Sequence, residues 1–194
     1  MKTEIKIIEF FLNNKNKEYT IREISKIVSS DYKIVNLATH KLIEKNILKT
    51  KKIGPSTLCY LNNSIFTTEI FLAENQRKEK IQKNSNLKLL TKEIQSKLNV
   101  ANYILLLFGS FAKGTQTKNS DLDLIFISNE KEKIEKQVKN IFSISPIKID
   151  YYVFTEDEFK QMRDSKERNV IHEAIENNII LYSSESYYKL KNDN

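Results

Sequence analysis

Along the first sixty positions, apolar residues recur at helical spacing between short polar breaks. Ile5, Ile7, Ile8, Phe11 and Leu12 mark one face of a helix over Thr3–Asn13. The run Asn13-Asn14-Lys15-Asn16 ends it. Thr20-Ile21-Arg22-Glu23 has the form of a capping box, with the threonine hydroxyl accepting from the N3 amide and the glutamate reaching back. The short helix that follows uses Ile24 and Ile27 as its apolar side. Ser29-Ser30-Asp31 supplies the next break and cap. A third helix then runs to about Lys45 and buries Val35, Ala38 and Leu42. The period then changes: 47–52 predicts a strand, Ile53-Gly54-Pro55 a turn, and 56–61 the returning strand.

The remainder alternates helical and extended patterns. Phe66, Ile70 and Ala73 form one apolar stripe, and Leu87, Leu90, Ile94 and Leu98 a second, parted by Lys83-Asn84-Ser85-Asn86. Segments 103–108 and 122–127 read as buried strands. Segment 130–142 reads as a helix with Ile134, Val138 and Phe142 inward, and 147–153 as an alternating strand. Thr155-Glu156-Asp157-Glu158 is a second capping box. Ser165 opens a further helix that ends at Asn177-Asn178, and 179–182 closes with a strand. The pattern predicts an α+β fold: a helical N-terminal domain over 1–63, a connecting helix over 64–84, a small mixed-sheet domain over 85–183 and a tail over 184–194.

Three helices followed by a β-hairpin resemble the winged helix-turn-helix domains of prokaryotic transcription regulators. Tyr19–Leu48 carries the likeness, from the capped second helix to Leu42-Ile43-Glu44-Lys45-Asn46-Ile47-Leu48 leading into the wing. The resemblance implies DNA as a partner. Lys33, Asn36, His40 and Lys41 would face a major groove, and Lys49, Lys51 and Lys52 would meet phosphates from the wing. The bland alternative is a solvated basic face on a protein-interaction module, and Leu37 near the reading face is less comfortable on DNA.

Charge sharpens this division. The formal net charge is +7. Residues 1–62 hold 12 basic against 6 acidic residues, whereas 99–194 hold 13 against 15. The front suits a polyanion and the back does not. Composition removes other classes. Cys59 is the only cysteine, which excludes an internal disulfide and a cysteine-cluster metal site. The two histidines, His40 and His172, argue against zinc chemistry. The apolar run at 103–108 is too short for a bilayer, and the N-terminus lacks a signal-peptide apolar core. A cytoplasmic protein without a membrane partner is the expectation.

The informative chemistry lies between the two buried strands. The first ends in Gly109-Ser110, where glycine permits a tight turn and close approach of a ligand. A short helix there would aim free amides at a phosphate, with the Ser110 hydroxyl as an added donor. Asp121-Leu122-Asp123 follows, and strand alternation puts both carboxylates on one face. Such a pair calls for a cation, and Mg2+ takes a few carboxylate oxygens plus phosphates. Asp150, in a third strand, would complete a three-carboxylate site able to support phosphoryl transfer.

The stretch Gly109-Ser110-Phe111-Ala112-Lys113-Gly114 through Lys118, Asn119 and Ser120-Asp121-Leu122-Asp123-Leu124, with Asp150 downstream, resembles the polymerase-β-type nucleotidyltransferase superfamily. It is closest to the minimal, antitoxin-like branch, with Lys113 replacing the usual arginine and Leu122 the usual isoleucine. The resemblance covers roughly residues 88–182. It implies Mg2+ on Asp121, Asp123 and Asp150, with Asp150 helping to activate an acceptor hydroxyl. It implies nucleotide phosphates at Gly109 and Ser110, with Lys113 and Ser120 as further nucleotide contacts.

The implied activity is transfer of a nucleoside monophosphate, AMP from ATP or another nucleoside triphosphate, to an acceptor hydroxyl. A partner toxin of the HEPN class is one acceptor that the branch suggests; small molecules and RNA ends stay open. The rival expectation is a DNA-binding regulator whose second domain senses nucleotide or is inactive. A homodimer through the 66–73 stripe is compatible with either.

Overall fold

Two polar breaks set the architecture of the N-terminal part. In a computed structural model of the chain, which describes residues 2–117, 120–145 and 147–193, they separate α1 (Lys2–Leu12), α2 (Ile21–Ile27) and α3 (Tyr32–Glu44). Both halves of the Thr20 capping box are made, with Glu23 N–H donating to Thr20 Oγ1 at 3.2 Å and Thr20 N–H to Glu23 Oε2 at 2.7 Å. Asp31 caps α3 by accepting from the Lys33 and Ile34 amides. A cap of this kind stabilises a helix by about 1 kcal/mol. Ile7, Ile8, Phe11, Ile24, Val35 and Leu42 close the core between the helices. Ile27, expected on the inner face of α2, is instead 52% exposed, because it is the last residue of a helix of seven residues.

Strands β1 (Leu48–Ile53) and β2 (Ser56–Leu61) form the antiparallel hairpin in the expected place. Tyr19 exchanges backbone hydrogen bonds with Cys59, so the segment before α2 is stitched to β2. Helices α4 (Thr68–Ile81) and α5 (Ser85–Lys97) follow, the second capped by Asn84. The chain divides into two compact units, Met1–Gln76 and Arg77–Asn194, so the division falls inside α4 rather than at the 83–86 break. Ile70 and Ala73, part of the stripe offered for a dimer, are buried within the chain.

The second unit is built on β3 (Ile104–Phe108), β4 (Leu122–Ile127), β5 (Ile149–Phe154) and β6 (Ile179–Tyr182), ordered β5-β4-β3-β6. β3 is antiparallel to β4 and β6, while β4 and β5 are parallel. A parallel pair needs a crossover, and α7 (Lys131–Phe142) provides it. Side chains alternate across the sheet. Leu105, Leu107, Leu122, Leu124 and Phe126 share a core with Leu87, Leu90 and Ile94 of α5 and Ile134, Val138 and Ile141 of α7. Phe142, expected inward, is only partly buried beside that core, and Ile141 takes its place.

On the opposite face, Leu106, Ile125 and Ile127 are buried where α8 (Glu156–Asp164), α9 (Val170–Glu176) and α10 (Ser184–Asn192) pack. The Thr155 capping box starts α8 as expected. Ser165 ends α8 instead of opening α9, which Asn169 caps by accepting from the Ile171 and His172 amides. Residues 184–192, expected as a tail, form α10. Its Tyr187 is fully buried, packs edge-to-face on Phe159 and accepts a hydrogen bond from the buried Asn178 amide at 2.8 Å.

Candidate active site

The buried strand β3 delivers the chain to Gly109, whose φ of +65° lies in the left-handed region open to glycine. Helix α6 (Gly109–Lys113) starts there and stops at Gly114, with a φ of +70° and its amide directed at Phe111 and Ser110 carbonyls. Thr115 N–H donates to the Ser110 carbonyl at 3.0 Å, which closes the turn. The first amides of α6 precede its own hydrogen bonds and are open to an acceptor.

Strand register brings the acids to this turn. Phe108 lies opposite Asp123 across β3–β4, and Asp123 lies opposite Asp150 across β4–β5. A Cβ added to Gly109 would lie 2.8 Å from Asp123 Cγ, so the carboxylate fills the space over the glycine. Asp121 stands one residue before β4 rather than inside it. Its Oδ2 accepts from Lys148 Nζ, and the intervening Leu122 N–H donates to the Lys148 carbonyl at 2.9 Å. Burial pushes the Asp123 carboxyl above its ordinary value, as do the charges of Asp150, Glu173 and Asp121, while Lys113 opposes them. Among the described residues, no group of three or more His, Cys, Asp or Glu side chains is gathered as a metal cage.

A cleft of about 540 Å³ opens over this end of the sheet, lined by Gly109, Ser110, Lys113, Thr115, Asp123, Tyr152 and Glu173 among others. Lys113 Nζ donates to Glu173 Oε1 of α9 at 2.7 Å. Ser120 is not on the lining. Its Oγ accepts from Thr117 N–H at 2.8 Å and its own amide donates to the Thr117 carbonyl, so it closes the turn that leads into Asp121. Lys118 and Asn119 lie outside the described residues.

Sequence reasoning misses four residues of the site. Glu173, Thr115 and Tyr152 line the cleft and Lys148 holds Asp121. Lys148, Asp150 and Tyr152 occupy alternate positions of one extended segment, and that parity is readable along the chain. Nothing in the pattern of α9 sets Glu173 apart.

Residues 87–177 match the family model for the nucleotidyltransferase domain. The match supports a nucleotidyltransferase reading of this segment, and a transferase activity in general. The chain matches no curated protein and no solved structure. The nucleotidyltransferase match includes the turn at Gly109, all three aspartates, Lys148 and Glu173.

In the N-terminal unit, Lys33, His40, Lys41, Lys49, Lys51 and Lys52 are exposed and Asn36 is half-buried. Lys51 pairs loosely with Glu18 at 3.5 Å. Leu37, on the same helix as the first three, is 66% exposed. No helix among the described residues is long and apolar enough to cross a membrane.

Proposed function

We propose that the chain transfers a nucleoside monophosphate, AMP from ATP, to an acceptor hydroxyl in a Mg2+-dependent reaction. The observation that carries this reading is the register Phe108–Asp123–Asp150 beside the positive-φ turn at Gly109. It sets carboxylates next to a phosphate-sized turn on one open end of the sheet. Burial first, and then the charges of Asp150, Glu173 and Asp121, raise Asp123 against its own ionisation, and a hard cation fits such a set of acids as counter-charge. Asp121, Asp123 and Asp150 would hold it. Bound there, Mg2+ supplies charge neutralisation for the triphosphate and the developing pyrophosphate.

The chain's own groups do the rest. The Gly109 and Ser110 amides and the Ser110 hydroxyl bind the terminal phosphates. Lys113 sits at the cleft with its ammonium shared with Glu173, from which a phosphate can draw it. Asp150, on the edge strand, orients the acceptor hydroxyl and takes its proton. A protein hydroxyl is the first acceptor to try, since the antitoxin-like branch modifies a toxin partner. Incubation with labelled ATP, Mg2+ and candidate acceptors should transfer label, and Asp121→Asn or Asp123→Asn should abolish it. Pyrophosphate release that persists in both variants contradicts the assignment.

A second reading concerns the N-terminal unit. The exposed row on α3 and β1 supports a winged-helix DNA contact, with the second unit sensing nucleotide. Binding of duplex DNA at low salt that weakens as salt rises is the expected result. No binding at low salt removes this reading and leaves the transferase untouched.

A further inference from the structure

One cation is already seated among the acids. Lys148 stands two positions before Asp150, just outside β5. Its carbonyl accepts from Leu122 N–H at 2.9 Å, which ties its backbone to the residue between Asp121 and Asp123. Its side chain is 72% exposed, yet it turns back so that Nζ donates to Asp121 Oδ2. It is thereby ion-paired with one of the three acids that would hold a divalent cation. Asp121 is correspondingly turned to the lysine.

We infer that Lys148 is an internal competitor for the divalent cation, whose ammonium occupies Asp121 in the cation-free protein and leaves when Asp121 becomes a ligand. This rests on the metal-dependent transfer proposed above. A lysine ammonium is a single charge on a flexible stem and returns readily to water. A divalent cation brings twice the charge and engages several carboxylate oxygens at once. The lysine is thus a weak occupant that raises the cation concentration the site requires without closing it. It also keeps Asp121 from facing Asp123 uncompensated while the site waits for its cation.

The test is calorimetric titration of the full chain with Mn2+, without nucleotide, at fixed pH and ionic strength. Lys148→Met is expected to tighten Mn2+ binding about three- to tenfold, the scale of an exposed pair plus a removed like charge. Lys148→Arg, which keeps a cation on Asp121, is expected to stay within roughly twofold of the unaltered chain. Lys113→Met removes a charge paired with Glu173 and is expected to change affinity less than Lys148→Met. Unchanged or weaker binding by Lys148→Met overturns the inference and leaves the metal site standing. Equal gains from Lys148→Met and Lys113→Met also overturn it, because charge removal alone then explains the effect. Absence of Mn2+ binding by both the unaltered chain and Lys148→Met overturns the inference together with the metal-dependent reading.

Discussion

The Asp123 carboxylate occupies the space that a side chain on Gly109 would need. Gly109 directly follows β3 and Asp123 lies on its antiparallel neighbour β4, with Phe108 paired with Asp123 at that level. The Gly-Ser turn and the Asp-x-Asp pair, spaced apart in the chain, are therefore one packed unit. The glycine is required twice, by its φ of +65° and by the acid above it.

Gly109→Ala should consequently fail on both counts. Left-handed backbone costs a non-glycine residue roughly 1–2 kcal/mol, and the new methyl displaces the carboxylate. Nucleotide transfer should fall by about a hundredfold or more, as expected for a misplaced reacting geometry. Thermal unfolding and transfer rates measured together check this. Wild-type activity in the variant would show that Asp123 has another stable position.

Asp123→Asn should abolish transfer and yet stabilise the metal-free fold at neutral pH. The folded carboxyl is raised above its ordinary 3.8, so the folded state holds this proton more tightly than the unfolded chain does. Its ionisation therefore costs stability, a cost that grows as pH rises from the unfolded value through the folded one. Above both the cost is complete, and below both it is gone. In a chelator-containing buffer the variant should melt higher than the parent at pH 7, with the gap closing as pH falls towards the ordinary carboxylate range. A variant that melts lower at pH 7 would contradict the electrostatic account.

Tyr187→Phe tests the docking of α10. The Tyr187 hydroxyl accepts from Asn178 Nδ2, whose other donor goes to the Ala174 carbonyl at 2.6 Å. Asn178 is fully buried, and its carbonyl accepts from Arg77 at 2.5 Å. Removing the hydroxyl takes an acceptor from a buried donor, a loss of roughly 1–3 kcal/mol in denaturant unfolding. Transfer activity should change little, because Tyr187 is not among the residues that line the cleft.

The DNA reading predicts a salt signature. For duplex DNA, every phosphate that the protein no longer neutralises reduces the slope of log affinity against log salt by about 0.9. Lys49→Ala, Lys51→Ala and Lys52→Ala should each flatten the slope by roughly that amount, with Lys51 smallest because it also pairs with Glu18. Slopes unchanged in all three would place any DNA contact elsewhere.

Much of this arrangement is visible in local sequence. Thr20, Asp31 and Thr155 announce their helices because a cap is an interaction over two or three residues. The buried run of β3 and the alternation of β5 report burial that each strand experiences along its whole length. What is not legible depends on distant packing. Helix α10 reads as a tail because its burial is specified by Asn178 and Phe159, not by a period of its own. Ser165 and Asn169 are both acceptable caps, and the choice between them is made by what α9 packs against. Ser120 matches a motif position, but its hydroxyl turns to Thr117, a local turn that the motif alone does not describe. Glu173 becomes visible only when the position of α9 puts it beside Lys113.

The parallel pairing of β4 with β5 has a bearing on assembly. Asp123 and Asp150 stand on either side of the α7 crossover, and nothing short of that completed excursion puts them level. A nascent or half-unfolded chain can own the Gly109 turn and the Asp121–Asp123 pair as a local hairpin, yet it has no Asp150 beside them. On the proposed reading, competence for chemistry waits for β5 to pair with β4. A cation that uses all three acids binds the finished fold alone and draws the population towards it. On the proposed metal-dependent reading, the acids come level only when the crossover is home.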